Sequence, residues 1–179
     1  GYLGASANQV LKQTFTAGRS GRLTRVSIYG YLASPAPGDL VVEVTTADGT
    51  VLAAASLPAD SFVPFDQQWF DVVFVPSPIV SAGTQYTIVV TSTEPHGSGG
   101  IYFIGSENTD PYPGGSLSII NQSGTEIELP SLDIAFRTYV DSLDQEQALV
   151  SGYLGASANQ VLKQTFTAGW SGWLTRVSI

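Results

Sequence analysis

Short runs of β-branched and aromatic residues recur along the chain, separated by Gly, Pro, Asp and Asn, and helical periodicity is scarce. The runs predict strands at Val10–Thr16, Leu23–Leu32, Leu40–Thr46, Val51–Ser56, Trp69–Val75, Gln85–Thr93, Ile101–Ile104, Ser116–Ile120 and Leu132–Val140. Turn residues punctuate them at Ala47-Asp48-Gly49, Ser81-Ala82-Gly83, Pro111–Gly115 and Ser123-Gly124. About nine closely spaced strands with no interposed helices predict an all-β fold, an antiparallel β-sandwich of the jelly-roll kind. In the first strand, Leu11, Gln13 and Phe15 share one face, while Val10, Lys12 and Thr14 share the other. The first set is the candidate core face, which leaves Lys12 in solvent.

The same pattern returns at the far end of the chain. Residues 1–28 read GYLGASANQVLKQTFTAGRSGRLTRVSI and residues 152–179 read GYLGASANQVLKQTFTAGWSGWLTRVSI. Only two positions differ, Arg19 against Trp170 and Arg22 against Trp173. Such identity marks an internal repeat rather than chance. Either the protein is an array of near-identical modules, or a second copy of the first strands has been appended to one module. The predicted organisation is a sandwich module over 1–140, a linker over 141–151, and a second copy of the first strands over 152–179. The linker reads DSLDQEQALVS, with Ser142 and Gln145 at capping-box spacing, but it is too short to favour a stable helix.

Charge follows the same division. The net charge is −8, and charged residues make up only 12% of the chain. Residues 1–28 hold Lys12, Arg19, Arg22 and Arg25 with no acid, and residues 152–179 hold Lys163 and Arg176 with none. All the acids lie between, beside Arg137 alone. Basic segments flanking an acidic body favour docking of one on the other. The overall acidity argues against nucleic acid, whose phosphates need clustered Lys and Arg. There is no cysteine, which removes disulfides, Cys-type zinc sites and a Cys nucleophile. No run reaches the length of a membrane-spanning helix, so no membrane insertion is expected. The absence of any Met is expected of a processed chain or an excerpt of a longer one.

Several segments in order carry a resemblance. Gln13–Gly18 leads into Leu23–Ile28; then come Ser81–Val90, Asp110-Pro111-Tyr112-Pro113-Gly114-Gly115, and Asp133–Tyr139. Together they resemble the jelly-roll modules of bacterial and archaeal cell-surface and secreted repeat proteins, of the choice-of-anchor or carbohydrate-binding-like type. The resemblance covers about one module, Val10 to Val140, and implies an extracellular or cell-surface location and a non-catalytic role.

Chemistry has few candidates. His96 is the sole histidine and lies in the loop-like Glu94-Pro95-His96-Gly97, without partners for a triad or a metal site. Glu126 and Glu128 would share a face of a strand, and Glu107 and Asp110 lie close in sequence, but neither pair stands out from ordinary surface acids. No enzyme activity is expected. Calcium is the metal that oxygen ligands would suit, with Glu107, Asn108, Asp110 and Asp133 as candidates; the competing reading of Asp110–Gly115 is a rigid turn. Some surface adhesins crosslink a first-strand Lys to a last-strand Asp, which would pair Lys12 with Asp133. Tyr29, Tyr31, Trp69, Tyr102 and Tyr112 are the aromatics available to a glycan, with Trp69 assigned to the core or its edge.

The repeat carries the functional expectation. A sandwich has one slot for its first strand, and this chain carries two strands that fit it. The predicted assembly residues are Val10, Leu11 and Phe15 in the first copy and Val161, Leu162 and Phe166 in the second, with Trp170 and Trp173 either hot spots against a neighbour or packed locally within their own module. The expected function is a self-assembling extracellular module, whose partners are copies of itself and which builds head-to-tail filaments or arrays by strand addition. The alternative is a glycan- or surface-binding module of a tandem-repeat adhesin.

Overall fold

A computed structural model describes residues 2–5, 9–33, 38–93, 102–121 and 123–141, the first of these by backbone alone. His96, linker residues 142–151, Val161, Leu162, Phe166, Trp170 and Trp173 lie outside the described residues, while Asp141, expected to open the linker, ends the last described strand. The described residues form thirteen strands: β1 (Tyr2–Ala5), β2 (Val10–Thr16), β3 (Gly21–Leu32), β4 (Leu40–Thr46), β5 (Val51–Leu57), β6 (Gln68–Val73), β7 (Ile79–Val80), β8 (Gln85–Ser92), β9 (Tyr102–Glu107), β10 (Leu117–Ile120), β11 (Glu126–Leu129), β12 (Asp133–Ile134) and β13 (Phe136–Asp141). The only helical element among the described residues is a 3-10 turn at Ala59–Ser61.

The strands form two antiparallel sheets. One runs β11-β10-β2-β8-β4-β5; the other is built on the twelve-residue β3, which pairs with β6, β7, β9 and β13. This pairing makes the fold an antiparallel β-sandwich, without by itself specifying a jelly roll. Alternation explains the layers. In β2, Leu11, Gln13 and Phe15 are buried while Lys12 and Thr14 are not; β4 buries Leu40, Val42 and Val44, and β8 buries Tyr86, Ile88 and Val90. The facing sheet contributes Val26, Ile28, Phe70, Val72, Tyr102 and Ile104 to the same core. Each fully buried aliphatic side chain stabilises the fold by roughly 1.5–3 kcal/mol relative to exposure.

Turn chemistry sets the hairpins. Gly49, Gly83 and Gly124 take positive φ where the chain reverses. At Gly115 the constraint is space: a Cβ there would lie 1.8 Å from the Thr14 carbonyl oxygen, so no side chain fits between the 111–116 turn and β2.

Candidate functional site

β2 is an interior strand, hydrogen-bonded to β10 along one edge and to β8 along the other. Leu11 pairs with Ile119 and Val90, and Phe15 with Tyr86. The first copy of the repeated segment therefore fills the slot of its own module. Its Leu11 and Phe15 are core residues, 0% and 1% exposed, and Val10 is half-buried at the start of the strand. The slot is an interior position, not an edge.

One polar residue bolts this strand to the other sheet. Gln13 is completely buried; its Nε2 donates to Asp133 Oδ1 at 2.7 Å, and its Oε1 accepts from the Ile134 N–H at 2.9 Å. The second carboxylate oxygen of Asp133 accepts from the Tyr112 N–H at 3.1 Å. Tyr112 closes the lock, its hydroxyl accepting from the Thr16 N–H at 3.1 Å and donating to the Thr16 carbonyl at 3.3 Å. Buried polar groups persist only when satisfied in this way. The alternation in the sequence places Gln13 among core residues, yet a partner 120 residues away leaves no local signal.

These bonds redefine two sequence expectations. Asp133 is 2% exposed and spent on Gln13 and Tyr112, so it neither faces Lys12 nor joins a calcium shell with Glu107, Asn108 and Asp110. Among the described residues, no three His, Cys, Asp or Glu side chains converge as a metal site. Glu107 Oε1 instead accepts from the Asn108 N–H at 2.8 Å, and Asp110 is an exposed turn residue with φ of 48°. Lys12 lies on the solvent side of β2, where its Nζ meets Glu126 at 3.0 Å. The hydroxyl of Ser118 and then Lys12 hold the Glu126 carboxyl below its ordinary value.

The outer face of the β3 sheet is rich in aromatics and charge. Tyr29 packs against Trp69 with ring centres 5.5 Å apart, and the Arg137 guanidinium lies 3.9 Å from the centre of the Trp69 ring. Farther along, Arg25 sits 3.7 Å over Tyr139 and pairs with Asp71 at 2.7 Å, while the Ser27 hydroxyl donates to the other Asp71 oxygen. The Tyr139 phenol is pulled below its usual value, first by Ser27 and then by the two arginines. Tyr31 stacks on Phe103 at 5.2 Å. Trp69 thus belongs to the outer face and not to the core. Tyr102 is the opposite case. It is fully buried, donates to the Gly38 carbonyl at 2.9 Å, and is pushed up to about 12 by burial, with Asp39 adding to the shift.

No family model matches this chain, and no curated protein matches it. Among the described residues, no helix is long and apolar enough to cross a membrane.

The geometry beside the aromatic face is distinctive. β9 pairs with β3 through Tyr102–Ile104 and, beyond Gly105, turns its last residues, Ser106 and Glu107, to β12. β13 takes over the β3 edge from Ile28. Ala135 stands at the fork, accepting from the Tyr29 N–H at 3.1 Å and donating to the Gly105 carbonyl at 2.8 Å. A cleft of about 690 Å³ opens there, walled by Tyr29, Trp69, Tyr112 and Phe136, with Glu107, Asp133 and Arg137 as its charged residues, of which Asp133 is buried and hydrogen-bonded to Gln13 and Tyr112.

Proposed function

We propose that this protein is a non-enzymatic structural module, displayed outside the cell, that joins to further copies of its own fold through the duplicated segment. The supporting observation is the state of the β2 slot. It lies inside a six-stranded sheet, is paired on both edges, and is occupied by residues 10–16. Residues 161–167 carry the same side chains in the same order, Leu162, Gln164 and Phe166 standing for Leu11, Gln13 and Phe15.

A strand of that pattern is poorly stable alone, because its backbone groups and apolar face both need neighbours. The slot that fits it is the β2 position of a second copy of the fold, entered in exchange for that copy's own residues 10–16. Ladder bonds supply affinity, and the alternating core residues fix register, since a one-residue slip would turn Gln164 and both apolar anchors to solvent. The Lys163 and Arg176 charges approach an acidic module, which favours encounter at low salt. The sparse charge agrees with an exported role.

Light scattering of the whole chain across a wide concentration range tests the proposal. Growth in particle size is expected, and the pair Leu162→Asp with Phe166→Asp should return the protein to monomers whose module melts as before. A monomer at every concentration, or assembly untouched by those substitutions, refutes it.

A further inference from the structure

The cleft at the sheet fork combines features that the strand-exchange reading leaves unused. Its walls are aromatic, its size suits one or two sugar rings, and charged groups stand where a ligand would be oriented. The two arginines of the outer face differ in one respect. Arg25 is neutralised by Asp71 at 2.7 Å, whereas among the described residues no carboxylate lies within ion-pair distance of Arg137. Arg137 is exposed and braced over Trp69, so its position is fixed by the ring and its charge is left unbalanced at the cleft. A guanidinium held in this manner matches a carboxylate bidentately, with little rotamer freedom left to lose.

We propose that this cleft binds an acidic polysaccharide, seating a uronate residue with its carboxylate on Arg137 and its C–H face against the aromatic wall formed by Tyr29, Trp69 and Tyr112. Glu107, exposed on the cleft wall, accepts from ring hydroxyls and disfavours a second carboxylate at that position. Selectivity then comes from the one exposed cation and the one exposed anion of the cleft, the Asp133 carboxylate being buried and held by Gln13 and Tyr112. The net charge of −8 makes binding of a polyanion diagnostic, because diffuse attraction works against it.

The site is independent of assembly. Titration calorimetry of the whole chain with oligogalacturonate and oligomannuronate, against galactan and mannan oligosaccharides of the same length, reads it directly. Binding of at least one uronate series is expected, at least tenfold tighter than its neutral counterpart. Arg137→Gln should weaken it at least tenfold without changing the melting temperature, and Arg137→Lys should retain part of it. The Leu162→Asp, Phe166→Asp chain should bind as the parent does, which separates failure of this site from failure of assembly. No uronate binding at millimolar ligand, equal binding of neutral sugars, or full affinity in Arg137→Gln overturns the proposal.

Discussion

The Gln13–Asp133 contact allows a quantitative test of how the two sheets are held in register. Gln13→Leu removes the donor to the Asp133 carboxylate, a bond of the kind that contributes roughly 1.5–3 kcal/mol, and leaves the buried Ile134 N–H without its acceptor at a cost of roughly 1–3 kcal/mol. Added apolar burial of the leucine offsets on the order of 1 kcal/mol. The net loss should be about 3 kcal/mol, which at this size lowers the melting temperature by about 10 °C.

The sharper version exchanges the chemistry instead of deleting it. Gln13→Glu alone sets two carboxylates 2.7 Å apart, and Asp133→Asn alone turns a donor toward either Gln13 or the Tyr112 N–H. When the two changes are combined, the amide introduced at position 133 would donate to the carboxylate introduced at position 13 and accept from the Tyr112 N–H. That carboxylate would still accept from the Ile134 N–H. Each single change should cost about 2–4 kcal/mol, and the pair should lie within about 1.5 kcal/mol of the parent. Urea unfolding followed by circular dichroism measures all four corners of the cycle. Additivity within about 0.5 kcal/mol would show that the contact does not couple the sheets. In the monomeric Leu162→Asp, Phe166→Asp chain, Gln164→Leu should leave the same transition unmoved.

Other outcomes follow from the same geometry. Gly115→Ala should destabilise the module by about 3 kcal/mol or more in urea unfolding, since its Cβ meets backbone and not a side chain that can swing away. Tyr102 has a folded value raised from 10.0 to about 12, so its contribution is complete below pH 10 and is lost as pH rises toward 12. Tyr102→Phe should flatten that alkaline loss in a pH series of melts. Glu126 is shifted the other way; its contribution is present above its ordinary value of 4.5 and fades as pH falls through the lowered folded value. Ser118→Ala and Lys12→Met should each bring its carbon-detected titration closer to the ordinary value.

Much of the sandwich is legible in the chain. The expected bounds of β2 and β4 coincide with the observed ones, because alternation there is unbroken and turn residues flank each run. The two-residue β7 and the outward-facing β11 escape a sequence reading: the first is too short to show a period, and the second, Glu-Ile-Glu-Leu, presents mostly exposed residues. Leu132–Val140 reads as one strand but divides at Ala135, where a change of partner has no counterpart in local pattern. The candidate sites fare less evenly. Proximity in sequence suggests a shell of Glu107, Asn108, Asp110 and Asp133, yet Asp133 turns inward to a strand from the opposite end of the module. Hydrophobic size suggests a place in the core or at its edge for Trp69, while its neighbours Tyr29 and Arg137 hold it on the outer face. Pairings across more than a hundred residues are invisible to any window that reads the sequence locally.

The interior position of β2 also has a temporal side. Its partners are residues 85–92 and 117–120, so on a ribosome the strand waits until both have emerged before it can be enclosed. At roughly 5–20 residues per second, residue 161 follows residue 120 by about two to eight seconds, longer than many small β domains need to fold. Vectorial synthesis thus gives the earlier copy first claim on the cradle. The later copy emerges to find it closed, although the two match at every core position of that strand.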